Sequence, residues 1–156
     1  MKVLGTRADL AGLDELRGDR PLALVPTMGA LHAGHLSLVR LAGNFGPVVV
    51  SIFVNPTQFG PGEDFGAYPR DLPRDLELLA PLAPAAVFAP EVATMYGAPD
   101  GVTVQPGRRA EGLCGGGRPG HFTGVLTVVA KLFGLVRPDI AVFGRKDAQQ
   151  CLVIDE

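Results

Sequence analysis

The chain is poor in cysteine and lysine, carries almost no net charge, and has no apolar run approaching the ~18 residues of a membrane span. Each shortage excludes a class. Cys114 and Cys151 form no Cys-x-x-Cys or zinc-ribbon spacing, so they are expected as two buried or half-buried thiols, not as a disulfide or a catalytic thiol. A net charge of −2 gives no broad positive field for nucleic acid, and no Lys/Arg cluster falls on an amphipathic helix. The expected partners are therefore small molecules, with neither nucleic acid nor membrane. The start, Met1 to Asp9, lacks the apolar core of a signal peptide, which makes a cytoplasmic location the default expectation. There is no evident Ser-His-Asp or Cys-His arrangement, no conspicuous pair of carboxylates and no Gly-x-x-x-x-Gly-Lys-Ser/Thr, which disfavours a Walker-type ATPase.

What is present is a globular composition, 47% hydrophobic and 19% charged, punctuated by 21 glycines and 14 prolines. At 156 residues the length fits one domain with its own core, spanning 1–156. Leu10, Leu13 and Leu16 recur at three-residue intervals and predict a short helix over 8–17. Buried strands are expected at Leu22–Val25, Val48–Val54, Ala85–Ala89 and Ile140–Phe143, with a further short strand at Val102–Val104 outside the alternating series. Helices are expected from about Gly34 to Ala42, from Leu72 after an Asp71 cap, from His121 or Phe122 to about Leu135, and beyond Asp147. Residues 107–120 read as irregular and glycine-rich. The alternation argues for an α/β fold: a Rossmann-like parallel sheet with helices on both faces and right-handed crossovers.

The most informative stretch is Val25-Pro26-Thr27-Met28-Gly29-Ala30-Leu31-His32-Ala33-Gly34-His35, a strand end, a tight turn and a helix start. Helix starts leave unpaired N–H groups at the positive end of the dipole and so favour anions. His32 and His35, three apart, share one face of the first turn and can hydrogen-bond one phosphate chain. Two other readings stay open: a zinc pair, for which no third ligand of convincing spacing is found, or two surface histidines. Gly144-Arg145-Lys146-Asp147 repeats the pattern after the last strand. Lys146, one of only three lysines against eleven arginines, offers a mobile ammonium that can follow phosphates; a solvated basic residue is the alternative.

Asn55, Gln58, Gln149 and Gln150 are neutral amides near the same predicted sheet edge, suited to hydroxyl or carboxylate groups of a small polar substrate. The segment Gly60 to Pro69 has the length of a lid or binding loop. Gly115, Gly117 and Gly120 satisfy Gly-x-Gly-x-x-Gly formally, but no strand precedes them and Asp139 comes before a strand instead of ending one, so a dinucleotide site is rejected. Arg118 and His121 remain candidate anion contacts there, a purely structural loop being the alternative. With no protein nucleophile apparent, the pattern fits a substrate carboxylate attacking a nucleotide phosphate.

Five ordered motifs, Pro26 to His35, Ser51 to Gly60, Tyr68-Pro69-Arg70, Arg118 to Phe122 and Phe143 to Gln150, together resemble the pantothenate synthetase (pantoate–β-alanine ligase) family over nearly the whole chain. The His-x-Gly-His element alone is shared with the wider nucleotidyltransferase and class I tRNA synthetase superfamily. The resemblance implies a nucleotidyltransferase-type fold, ATP-dependent activation of pantoate to pantoyl adenylate with magnesium accompanying ATP, and attack by β-alanine to give pantothenate and AMP.

By motif position it implies that Met28, Gly29, Ala30, Leu31, His32, Ala33, Gly34 and His35, with Gly144, Arg145, Lys146 and Asp147, bind ATP. Catalytic roles fall to His32, His35 and Lys146, His35 as proton donor. Gln58 would touch pantoate and β-alanine, Gln150 pantoate, and Asn55 would support the site. Asp75 is a candidate magnesium contact; no protein-held metal is expected. Family members commonly form homodimers. The sequence departs from the family at Ala33 and Arg145, where acidic or amide residues are usual, and in Cys114 to Gly117, which lacks a common basic residue. The family's smaller C-terminal lid domain is expected beyond Glu156, which makes this chain an amino-terminal fragment with little turnover alone. Another nucleotidyltransferase, or a non-catalytic nucleotide-binding fragment, is the alternative.

Overall fold

The computed structural model describes every residue except 61, 62, 64 and 98–100, and the side chain of residue 114. Those positions of the expected 60–69 loop, and the Cys114 thiol, lie outside the described residues. Five parallel strands form one sheet: β1 (Lys2–Leu4), β2 (Ala23–Thr27), β3 (Val48–Ile52), β4 (Ala86–Phe88) and β5 (Ile140–Ala141), in the order β1-β4-β3-β2-β5. Among the described residues, seven α-helices flank it: α1 (Leu13–Arg17), α2 (Ala33–Gly43), α3 (Leu72–Leu79), α4 (Val92–Tyr96), α5 (Leu113–Gly117), α6 (His121–Val136) and α7 (Ala148–Ile154).

Successive strand residues face opposite sides, and here both sides are apolar, as a sheet covered by helices on each face requires. Leu22, Leu24, Val49, Ala86 and Phe88 pack with Leu13, Met95 and the apolar stripe of α6. Ala23, Val25, Val48, Val50 and Val87 pack instead with Val39 and Ala42 of α2 and Leu79 of α3. Each of the larger buried side chains contributes on the order of 1.5–3 kcal/mol, so the two cores dominate stability.

Several elements differ from the sequence expectation. Residues 8–12 form a tighter 3-10 turn, leaving only Leu13–Arg17 as α-helix. Val102–Val104 makes no ladder: Val102 is 89% exposed, and the Val104 N–H is taken by Thr127 Oγ1 at 3.0 Å. Residues 107–120, read as irregular, contain a 3-10 turn at Arg108–Ala110 and the short helix α5. Strand β1 and helix α4 were not anticipated.

The chain walks from β2 through β3 to β4 in one direction, and β5 then returns to the other side of β2. The switch point therefore lies between β2 and β5, and the crevice outside the C-terminal ends of these strands is where open α/β sheets hold ligands. Both the turn leading to α2 and the Gly144–Asp147 turn emerge there.

Candidate functional site

A cleft of about 550 Å³ opens at this switch point. On one wall, the chain leaves β2 through two left-handed residues, Gly29 (φ 82°) and Ala30 (φ 51°). Glycine is required at the first: a Cβ there would lie 2.9 Å from Asp75 Oδ2 and 3.1 Å from Ile52 Cγ2. Asp75, 2% exposed on the first turn of α3, holds the turn from beneath. Its carboxylate accepts the Ala30 N–H at 3.1 Å and the Leu31 N–H at 2.8 Å. Each carboxylate oxygen thus holds one backbone donor of the turn and keeps a second lone pair.

His32 caps α2, its Nδ1 accepting the Gly34 N–H at 3.1 Å. With Nδ1 used as acceptor, the neutral ring carries its proton on Nε2, which is free to donate to an anion. The His35 ring lies 4.2 Å from it, centroid to centroid. Burial, followed by the neighbouring His32 and Lys146, lowers the His35 pKa from 6.5, while Asp75 and Asp147 oppose the shift. His35 is accordingly a neutral imidazole at pH 7, and its buried Nδ1 has no hydrogen-bond partner among the described residues. Opposite, the Gly144–Asp147 turn places exposed Arg145 and Lys146 on the rim.

The other end of the cleft is built from amides. Asn55, 1% exposed, donates through Nδ2 to Gln58 Oε1 (3.0 Å) and to the Gly124 carbonyl (3.1 Å). Gln58 in turn donates through Nε2 to Met28 Sδ at 3.0 Å. Gly124 permits the close approach of α6: a Cβ there would lie 2.3 Å from the Thr57 carbonyl oxygen. Val125, Val128, Val129, Leu132 and Phe143 supply an apolar floor, and Gln150 completes the lining.

Of the residues singled out from the sequence, Met28, Gly29, Ala30, His32, Gly34, His35, Asn55, Gln58, Gly144, Arg145, Lys146, Asp147 and Gln150 line this one cleft. Leu31 and Ala33 do not: the Leu31 side chain is buried in the core with α2, and Ala33 lies on the exposed start of that helix. Gln149 also points elsewhere, donating to the Arg109 and Gly112 carbonyls. Arg118 and His121 are drawn into a separate network. Arg118 forks onto Glu63 (2.6 and 2.8 Å) and meets His121, which contacts the Gln58 carbonyl through Nδ1 at 2.8 Å. The Arg118 guanidinium bonded to Glu63 lowers that carboxyl's pKa to about 2. Cys151 is half-buried, its Sγ 3.4 Å from the Gly144 carbonyl. Sequence reasoning missed the turn-holding role of Asp75 and the cleft residue Tyr68.

No helix among the described residues is long and apolar enough to cross a membrane. A five-stranded parallel sheet with a His-x-Gly-His helix start at its switch point defines an α/β fold of the nucleotidyltransferase type. The chain belongs to the pantoate-beta-alanine ligase family, whose sequence profile matches residues 2–156. It is 59% identical over 139 residues to the pantothenate synthetase of Sphingopyxis alaskensis, covering 88% of this chain and 50% of that one. The Thiobacillus denitrificans pantothenate synthetase is 58% identical over 159 residues, 100% of this chain and 55% of the relative.

Among solved structures, the pantothenate synthetase of Thermus thermophilus superposes with a TM-score of 0.91 at 48% identity, over 99% of this chain and 56% of that one. The pantoate-beta-alanine ligase of Francisella tularensis, solved with beta-gamma ATP and beta-alanine, gives 0.94 at 37% identity, over 99% and 60%. The chain thus spans about half the length of the curated relatives it matches.

Proposed function

We propose that this cleft binds magnesium–ATP against the start of α2 and the Gly144–Asp147 turn, with pantoate beside Gln58 and Gln150, and that the protein of which it forms the nucleotide-binding domain makes pantothenate. The observation that carries the reading is the convergence, in one crevice, of two imidazoles and a lysine at one end and amide groups at the other. In the first step a pantoate carboxylate oxygen attacks the α-phosphorus of ATP; the bond to the bridging oxygen breaks and pyrophosphate leaves. In the second, the β-alanine amine attacks the acyl carbon, the mixed-anhydride C–O bond breaks, AMP leaves, and the nitrogen loses a proton.

The residues contribute positioning and charge neutralisation. His32 donates from Nε2, and His35, held neutral by burial, adds a second donor without adding to the charge of Arg145 and Lys146. Lys146, exposed on the rim, reaches the charge that accumulates on the departing pyrophosphate through its long flexible stem. Magnesium arrives with the nucleotide as part of the substrate. The Gln58 amide and the apolar floor fit a small hydroxy acid. Because the relatives are about twice as long, turnover is proposed for a chain of their length, in which the remaining residues close over ATP, while these 156 residues bind and turn over little. A homodimer in the cytoplasm, without nucleic-acid or membrane partners, completes the proposal.

The test is ATP–pyrophosphate exchange in a chain of the relatives' full length. Exchange that requires pantoate is expected. Exchange indifferent to pantoate would assign the cleft to another acceptor.

A further inference from the structure

The amide end of the cleft also holds a sulfur. The chain has three methionines, and their settings differ. Met95 is fully buried in the core, Met1 is 48% exposed, and Met28, half-buried just after β2, lines the cleft. Its Sδ accepts the Gln58 Nε2–H at 3.0 Å, while Gln58 Oε1 accepts from Asn55 Nδ2 at 3.0 Å. Asn55, itself oriented by the Thr57 N–H and the Gly124 carbonyl, keeps the oxygen of the Gln58 amide. The NH2 is left with a thioether, one of the weakest acceptors a side chain offers. Such a bond orients the donor yet gives way to any carboxylate or hydroxyl oxygen that enters the cleft.

We propose that Met28 is an oxidation site that closes the acid-binding end of the cleft: a peroxide converts its thioether to the sulfoxide, and the new oxygen captures the Gln58 NH2. In the step, a sulfur lone pair attacks one peroxide oxygen as the O–O bond breaks. The S–O bond forms, sulfur gives up two electrons, and the second oxygen leaves as water with both protons. A sulfoxide oxygen carries substantial negative charge and is a far stronger acceptor than the thioether. It therefore competes for the donor that the bound acid needs, and it brings a polar group into a cleft whose floor is apolar. The effect on substrate rests on the reading of Gln58 as a contact of pantoate; the modification itself does not. Selectivity follows from burial, because the packed core gives peroxide no route to Met95. Sulfoxide reductases make the change reversible.

The experiment treats the chain with hydrogen peroxide and follows each methionine by peptide mass spectrometry. Met28 and Met1 are each expected to gain one oxygen, with Met95 at least about tenfold slower. Saturating pantoate should slow oxidation of Met28 about fivefold or more and leave Met1 unchanged. In ligand-free NMR spectra of the oxidised chain, the Gln58 NH2 resonances should shift as their acceptor changes from sulfur to oxygen.

In calorimetric titrations, oxidation should weaken pantoate about tenfold, the equivalent of one hydrogen bond, and sulfoxide reductase should restore it. Met28→Leu removes this sulfur while keeping the volume and both cysteines. Compared with its own untreated state, that variant should lose no pantoate affinity on treatment. Met28 as unreactive as Met95, or full pantoate affinity with Met28 oxidised, would overturn the inference. So would an equal fall in treated Met28→Leu, which would assign the effect to a thiol. If the untreated chain binds no pantoate, the substrate reading fails, and the peptide map with the Gln58 resonances still decides whether Met28 is the oxidation site.

Discussion

Replacing Asp75 with asparagine removes one acceptor from the Gly29–Leu31 turn at the edge of the cleft. The native carboxylate serves Ala30 and Leu31 with one oxygen each, in a buried setting. Asparagine keeps one of these bonds and turns an NH2 toward the other N–H, leaving a buried donor without a partner. Loss of one bond to a charged acceptor together with the orphaned N–H costs about 2–3 kcal/mol. For a domain of this size that corresponds to a fall in melting temperature of roughly 5–10 °C. Urea denaturation reads the stability, and titration with ATP reads the site. Affinity should drop about tenfold or more as the Gly29–Leu31 turn loosens, and by the same factor with and without magnesium, because the carboxylate acts on backbone and not on metal. A variant within about 0.5 kcal/mol of the parent, the range of an ordinary surface change, would refute the turn-holding role. So would a loss of ATP binding seen only when magnesium is present.

Gly124→Ala drives a methyl group to within 2.3 Å of the Thr57 carbonyl oxygen. Overpacking of this kind costs about 1–3 kcal/mol, and the displaced Thr57–Gln58 backbone should weaken pantoate more than ATP in calorimetric titrations. Equal weakening of both ligands would contradict the assignment of the amide end. The lowered pKa of His35 gives a stability term of defined sign: the unfolded chain binds the proton more readily. The term is therefore complete above the ordinary value of 6.5 and is lost as pH falls through 6.5 toward the lower folded-state value. Urea midpoints measured between about pH 5 and 8 should decline toward acid in the parent and decline less in His35→Asn.

The central strands were readable because their chemistry is unambiguous: Val48-Val49-Val50 is β-branched and apolar on both faces, and the structure buries it on both. The Asp71 cap of α3 and the start of α2 were readable because capping is local. Strand β1 was not, since three residues with an exposed Val3 on a sheet edge carry no periodicity. Helix α5 runs through Cys-Gly-Gly-Gly, against intrinsic propensity. The reverse error occurred at Val102–Val104, where a β-rich tripeptide found no strand beside it.

At the site, residue types suited to phosphates and carboxylates were visible as motifs, and the switch point brought them together. Direction was not visible. Gln149 and Gln150 are adjacent amides of identical chemistry, yet on a helix they point apart, and only Gln150 reaches the cleft. Asp75 lies 44 residues from the Leu31 N–H it holds, a pairing that only the packing of α3 against the sheet creates.

The most direct measurement is calorimetric titration of ATP and pantoate into the 156-residue chain, each alone and each in the presence of the other, with His35→Ala as control. If one cleft holds phosphates at the imidazole end and the acid at the amide end, both ligands bind together, and His35→Ala weakens ATP about tenfold while sparing pantoate. Mutual exclusion of the two ligands, or an ATP affinity indifferent to His35, would contradict it.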